Sequence, residues 1–286
     1  MKHRFPSYVL LSFVAFIVAA IVIGGCISTQ EPQGQGTPQI QRVTVSGSTT
    51  IFPLAEKAKE AFETRNVNAD IQISGGGSSV GVKAAGEGTA DIGMSSRDLK
   101  AEEQTSYPTL VKHEIAYDAI LIILNKANTI NHLTLAQVRG IYNGSYTNWN
   151  QVGGANQPIV VVGRDSASGT REYFAEAVMK KENFTPKQEE FNSNGGIQQK
   201  VMQTPGAIGY VGLAFNEGVN VVKIDVNGTL VEPTVENVIR GTYPIARPLY
   251  MFTRGQPTGL TKAFIDFILS SDGQKIVEEA GFVSLP

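Results

Sequence analysis

Cysteine is nearly absent from this chain: of 286 residues only Cys26 carries a thiol. No internal disulfide can form, and Cys-rich metal sites and dithiol redox chemistry are excluded. Histidine is almost as scarce, with His3, His113 and His132, so there is no His/Cys cluster and no HExxH helix to hold a metal, and no cofactor motif appears. Charged residues make up 17% of the chain and the formal net charge is -2. No global basic field therefore exists to recruit nucleic acid, and any affinity for anions must be local. Fixed-period repeats and heptads are missing too, which excludes solenoids and coiled coils. What is present is 42% apolar residues, enough for one large or two medium globular domains and too much for a disordered or fibrous chain.

The first 26 residues read as a leader. Lys2, His3 and Arg4 precede an apolar run from Tyr8 to Ile23 that closes on Gly24-Gly25-Cys26. A basic start, an apolar middle and a small-residue cleavage site form an export signal, and the run is slightly short for a spanning helix. Lipidation of Cys26 after processing is the expected outcome, with an uncleaved anchor helix as the alternative. Either places the body outside the cytoplasm, anchored to the outer face of the membrane. Residues 27–39 are rich in Gln, Gly, Pro, Ser and Thr, a flexible spacer. Sequons at Asn143, Asn183 and Asn227 are compatible with exposed loops and carry little weight.

From Gln41 onward β-rich runs alternate with helical periodicity. Arg42–Val45 precedes a helix over Phe52–Arg65, and Asp70–Ile73 precedes a helix after Gly77. This is the βαβα order of a helix-covered parallel sheet. The apolar run Ile120–Leu124 ends in a polar turn, after which helices near Thr134–Tyr142 and Ser168–Met179 flank a strand at Ile159–Val162. A late strand at Ala246–Thr253 and helices at Thr261–Leu269 and Gly273–Glu279 complete the pattern. The expected fold is α/β and two-lobed, each lobe a helix-flanked sheet, with a cleft between them. Residues 40–125 with 246–286 would form a discontinuous first lobe, and 126–245 the second, hinged near Leu124–Lys126 and Ala246–Pro248.

Three segments repeat one arrangement of strand, Gly/Ser/Thr turn and helix. They are Ser46-Gly47-Ser48-Thr49-Thr50, Ser74-Gly75-Gly76-Gly77-Ser78-Ser79, and Gly163-Arg164-Asp165-Ser166-Ala167-Ser168-Gly169-Thr170. A helix start leaves N–H groups without intrahelical partners and carries about half a positive charge, so it favours an anion. Hydroxyls add neutral donors, and Arg164 adds a planar cation suited to two oxyanion oxygens. Any single such turn is an ordinary N-cap; three together, one with an arginine, point to a shared site for a small tetrahedral anion. Contributions of about 1–2 kcal/mol per helix end and about 1.5–3 per charge-assisted hydrogen bond leave a micromolar site after association costs.

At these residues the chain closely resembles the phosphate-binding lipoproteins of the high-affinity phosphate ABC transporter. The likeness runs from about Val43 to Leu285 and rests on Gly47-Ser48-Thr49-Thr50-Ile51-Phe52-Pro53, Gly77-Ser78-Ser79-Val80-Gly81-Val82-Lys83, Asp91-Ile92-Gly93-Met94-Ser95-Ser96-Arg97 and the third turn. The resemblance implies a type II periplasmic binding fold closing over phosphate, delivery to permease subunits, and a monomer. Carried over by position, Ser48, Thr49 and Thr50 serve the first helix end, Ser78 the second, Ser168, Gly169 and Thr170 the third, and Arg164 the charge. Ser96 and Ser166 stand where well-known members have aspartates. The acceptor for the proton of HPO4²⁻ must then lie elsewhere, and Asp118 and Asp165 are the candidates, Asp118 preferred. On that reading Asp118→Asn loses selectivity for phosphate over sulfate.

Other readings start from the same residues. Gly77-Ser78-Ser79-Val80-Gly81 fits the nucleophile-elbow pattern of a serine hydrolase, but neither His113 nor His132 stands in the late loop where the general base belongs. Helix ends and hydroxyls also suit sulfate, molybdate or tungstate; Arg164 and its neighbouring carboxylates favour the protonatable anion. A membrane-anchored interaction or sensor domain that had lost transport would lack a donor, and every donor turn is present.

Overall fold

A computed structural model describes residues 39–286; the leader, Cys26 and the spacer through residue 38 lie outside the described residues. The first elements are β1 (Gln41–Gly47), α1 (Phe52–Arg65), β2 (Ala69–Gly76), α2 (Ser78–Glu87), β3 (Ile92–Ser95), α3 (Ala101–Ser106) and β4 (Leu110–Leu124). The middle of the chain forms β5 (His132–Thr134), α4 (Leu135–Tyr142), β6 (Val160–Arg164), α5 (Gly169–Ala177), β7 (Glu189–Phe191), α6 (Asn194–Gln203), β8 (Ala207–Gly212), β9 (Asn220–Val221), β10 (Lys223–Val226), β11 (Thr229–Val231) and α7 (Val235–Ile239). The chain closes with β12 (Ala246–Arg254), α8 (Gly259–Leu269) and α9 (Ser271–Glu279).

Local chemistry accounts for most of these elements. Alternation in β1 sends Val43 and Val45 inward, as the period of two requires. Helix α1 has Pro53 in its first turn, where a missing N–H costs nothing, and buries Leu54, Ala55, Ala58 and Phe62 along one stripe. Ser168, Ser193 and Ser270 cap α5, α6 and α9 through their hydroxyls, each satisfying an N–H that the helix leaves free.

The strands order as β2-β1-β3-β12-β4-β8-β6-β7, with β9 also against β4. On one side β1 runs parallel to β2 and β3; on the other β6 runs parallel to β7 and β8. Strand β4 belongs to both sides. Residues Leu110–Ala119 pair with β12, whereas Ile120–Leu124 pair with β8. The apolar residues divide accordingly: one cluster gathers Val43, Leu54, Phe62, Ile92, Ala116, Leu249 and Phe264, and a second gathers Ala119–Leu124, Tyr142, Trp149, Phe174 and Tyr210.

The strand expected at Ile120–Leu124 is thus only the end of a much longer one. Its first half carries Lys112, His113 and Glu114, which break the apolar run, and the pattern there is that of a half-exposed strand. The change from one core to the other falls at Tyr117–Ala119, inside β4, well before the polar turn at Asn125. The chain's end crosses at the same level: Tyr117 and Val283 exchange backbone hydrogen bonds of 2.8 and 3.0 Å, and Val283 belongs to the second cluster.

Phe174 anchors α5 in that second core. Its ring stacks on Tyr210 at 4.1 Å and 9° and meets the edge of Tyr142 at 5.0 Å. Phe174→Ala is expected to cost about 3–5 kcal/mol of unfolding free energy, read from the urea midpoint; a loss under about 1 kcal/mol would show that the stack does not hold the helix.

Candidate anion-binding site

All three turns sit at carboxyl ends of parallel strands, β1, β2 and β6, each entering a helix, the usual ligand position in α/β sheets. Ser48, Thr50, Ser78, Ser96, Asp118, Arg164, Ser168 and Thr170 are all buried, as is Gly169, while Thr49 is half-buried. Groups with this much hydrogen-bonding capacity are buried only at a cost unless they meet partners.

The first and third turns touch. Thr50 Oγ1 lies 3.0 Å from Thr170 Oγ1, though 120 positions separate them. Two residues that the sequence did not single out complete this cluster. Asn194, at the start of α6, donates through Nδ2 to Thr49 Oγ1 at 3.2 Å and Thr50 Oγ1 at 3.1 Å, while its Oδ1 accepts from Gly212 N. Arg247, in β12, donates through Nη2 to Thr170 Oγ1 at 2.9 Å and to Thr50 Oγ1 at 3.4 Å. Its signal in the sequence is a charge one residue into a largely apolar strand.

Asp118 faces Arg247. The two are register partners across β4 and β12, and both side chains are 0% exposed. Asp118 Oδ2 accepts from Arg247 Nε at 3.0 Å and Nη2 at 2.8 Å, and Oδ1 accepts from Leu213 N at 2.8 Å. Burial pushes the Asp118 carboxyl above its ordinary value, while Arg247 and the Leu213 N–H pull it back. Both oxygens thus accept hydrogen bonds from the protein, and Arg247 fixes the direction in which the carboxylate faces. Asp165, the other candidate, keeps a buried Oδ1 without a hydrogen-bond partner.

The second turn meets the third by close packing. Ser78 Oγ accepts from Ser96 N at 3.0 Å and lies 3.3 Å from Ser96 Oγ. A Cβ on Gly169 would strike Ser78 Oγ, and one on Gly77, whose φ is +99°, would lie 2.5 Å from Ala167 O. Only glycine lets these turns approach so closely. Ser48 acts locally, its Oγ accepting from Thr50 N, and Ser168 caps Arg171 N.

Arg164 stands apart from the hydroxyl cluster. It donates to the carbonyls of Phe191 at 3.2 Å and Asn192 at 3.1 Å. Burial pushes its guanidinium down to about 10, so it stays a cation at neutral pH. Ser166, which stands where an aspartate would brace it, is exposed.

A seam joins the two sides beyond the site. Ser79 N donates to Ala167 O at 3.1 Å, and Tyr173 OH donates to Ala246 O at 2.5 Å. Buried Arg97 makes two 2.7 Å bonds to Glu103. Its Nε lies 2.7 Å from Glu172 Oε2, as a charge contact without the alignment of a hydrogen bond, and Lys100 Nζ is 3.2 Å from the same oxygen. A cavity of about 300 Å³ opens here, lined by Arg97, Lys100, Glu172, Tyr173, Arg247 and Pro248 among others. Among the described residues no hydrolase constellation forms, since His113 pairs with Thr253 and His132 with Asn131.

Helix starts facing one another across two sheet halves, with buried hydroxyls and arginines between them, define a two-lobed binding protein of the type II periplasmic class. The chain belongs to the family of the PBP superfamily domain, whose model matches residues 28–272. It is 30% identical over 283 residues to the phosphate-binding protein PstS of Bacillus subtilis (strain 168), covering 96% of this chain and 92% of that one. A phosphate-bound crystal structure from Clostridium perfringens, of a protein assigned to a phosphate ABC transporter, is 41% identical with a TM-score of 0.81 and covers 86% of this chain and 100% of that one. An ABC-type phosphate transport receptor from Vibrio cholerae is 31% identical with a TM-score of 0.69, covering 85% and 100%. These relatives are binding proteins rather than enzymes.

The seam generates a test that needs no ligand. Glu172 is 30% exposed, so its pairing with Arg97 and Lys100 is worth about 1 kcal/mol after solvent screening. Glu172→Gln is expected to speed hydrogen exchange of the Ser79 amide about fivefold; unchanged exchange would show that the ion pairs do not hold the two sides together.

Proposed function

We propose that the protein is the extracytoplasmic solute-binding component of an ABC importer and that its ligand is inorganic phosphate. The observation that carries this reading is the meeting of helix starts at Thr50, Ser78 and Thr170 around buried arginines, in a chain whose relatives are phosphate-binding proteins. Neutral donors from helix ends and hydroxyls stabilise a multiply charged anion without collecting counter-charges, and the guanidinium groups supply the remainder. Ser48, Thr49, Thr50, Ser78, Ser96, Arg164, Ser168, Gly169 and Thr170 are the proposed ligand shell.

The lobes are drawn with their boundary inside β4 at Tyr117–Ala119 and before β12, rather than after Leu124 as the turn at Asn125 suggested. The change of apolar cluster between Ala116 and Ala119 supports this placement. Closure brings Thr170 and Ala167 onto Thr50 and Ser79, and opening at the two crossings admits the ligand. Captured anion passes to permease subunits, with the binding protein acting as a monomer. The tether is Cys26, lipidated after export. Among the described residues no helix is long and apolar enough to cross a membrane.

Sulfate, molybdate or tungstate form the second reading, favoured by one observation: Ser96 offers no carboxylate where a ligand proton would be read. Calorimetric titration with phosphate and then sulfate, from pH 5 to pH 8, separates the two. Tight one-to-one phosphate binding with weak sulfate binding is expected, and a preference for sulfate would replace the phosphate assignment. Cys26→Ser is expected to move the protein from the membrane fraction to the soluble fraction on cell fractionation; retention in the membrane would favour an uncleaved anchor helix.

A further inference from the structure

Arg247 has a donor to spare. One edge of its guanidinium, Nε with Nη2, is taken by Asp118, and Nη2 also reaches both threonine hydroxyls. The ring of Tyr173 lies 5.8 Å from Cζ. Nη1 is buried and has no hydrogen-bond partner. A buried charged donor without an acceptor is costly, and such a group persists where it serves a ligand. It stands beside hydroxyls already proposed to bind the anion.

The surrounding hydrogen bonds have a consistent direction. Thr50 Oγ1 receives Asn194 Nδ2 and Arg247 Nη2, and Thr170 Oγ1 receives Arg247 Nη2. One of the two hydroxyls gives its proton to the other across their 3.0 Å contact, which leaves one hydroxyl proton to donate outward. Both Asp118 oxygens already face protein donors, Oδ2 holding Arg247 and Oδ1 holding Leu213 N. The donors this cluster has left for an oxyanion are therefore Arg247 Nη1 and one threonine hydroxyl.

We propose that Arg247 is a second anion-binding cation of the site, donating through Nη1, and that Asp118 is its positioning residue rather than an acceptor for the ligand's proton. The inference rests on the phosphate reading and deepens it: a site with two guanidinium groups recognises the tetrahedral dianion. Arg247 and Asp118 take the place, at a different point of the cleft, of an arginine braced by a carboxylate, where Arg164 has only the exposed Ser166.

The test uses the full chain titrated with inorganic phosphate and with sulfate at neutral pH, with thermal melting as the folding control. The double variant Arg247→Gln/Asp118→Asn removes both charges together, so no buried charge is left unpaired. It is expected to fold and to bind phosphate at least 100-fold more weakly; binding within threefold of wild type would show that the pair is structural only. Asp118→Asn alone should weaken phosphate up to tenfold while leaving the phosphate-to-sulfate ratio within twofold. It should have no further effect once Arg247 is glutamine. A tenfold collapse of the ratio in Asp118→Asn would instead make Asp118 the proton reader and overturn its positioning role. Should the double variant not fold, Arg247→Lys, which keeps the charge without the second fork nitrogen, is expected to lose at least tenfold in affinity, and full affinity there would overturn the role of Nη1. A wild-type preference for sulfate would change the ligand assignment alone, because the same variants compared on sulfate still decide Arg247.

Discussion

The ion pair between Asp118 and Arg247 is the contact on which the rest of the molecule converges. It lies where β4 and β12 pass from one apolar core to the other, between register partners with no exposure to solvent. Removing one partner of such a pair leaves a buried charge, at a cost of about 3–5 kcal/mol. The same guanidinium reaches Thr50 at the start of α1 and Thr170 at the start of α5. Crossing strands, site floor and two helix starts therefore form one polar network, in which a shift of any member is felt by the others.

This arrangement explains why the site can be rich in charge-stabilising groups and still sit in a stable fold. The helix starts cost little, because their unpaired N–H groups exist in any helix. Ser48 and Ser168 spend their hydroxyls on local amides, which fixes the turns. The close packing of Gly77 on Ala167 and of Gly169 on Ser78 then sets how near the two sides can come. Arg97 and Lys100, meeting Glu172 at the rim, add a screened attraction that favours contact without making it permanent.

Much of this was legible in the sequence where the governing interactions are local. The bounds of α1 follow from Pro53 and the stripe through Phe62, and the three turns announce themselves by composition. The fold class follows from the alternation of strands and helices. What the sequence hid depends on distant partners. Arg247 meets Asp118 across 129 positions and Asn194 meets Thr50 across 144, so no spacing rule reveals either. The first half of β4 was concealed by Lys112, His113 and Glu114, whose charges interrupt the apolar pattern of a half-exposed strand. Asp118 is a candidate acceptor on sequence grounds alone, but the direction it faces is set by an arginine that only the sheet register supplies.

The position of β12 has a further consequence for how the chain comes to be folded. In the sheet β12 lies between β3 and β4, yet it is separated from them in sequence by the entire second core. Residues 119–245 are contiguous and can gather their own apolar cluster as soon as they are available. The first core is in two pieces until the chain's end: β1 pairs with β2 and β3 on its own, but β3 and β4 are joined only through β12, and α8 and α9 follow later still. The join between the first three strands and β4 therefore waits for the last forty or so residues, a closure between segments far apart in sequence that makes this side of the sheet the one with the more costly loop to close.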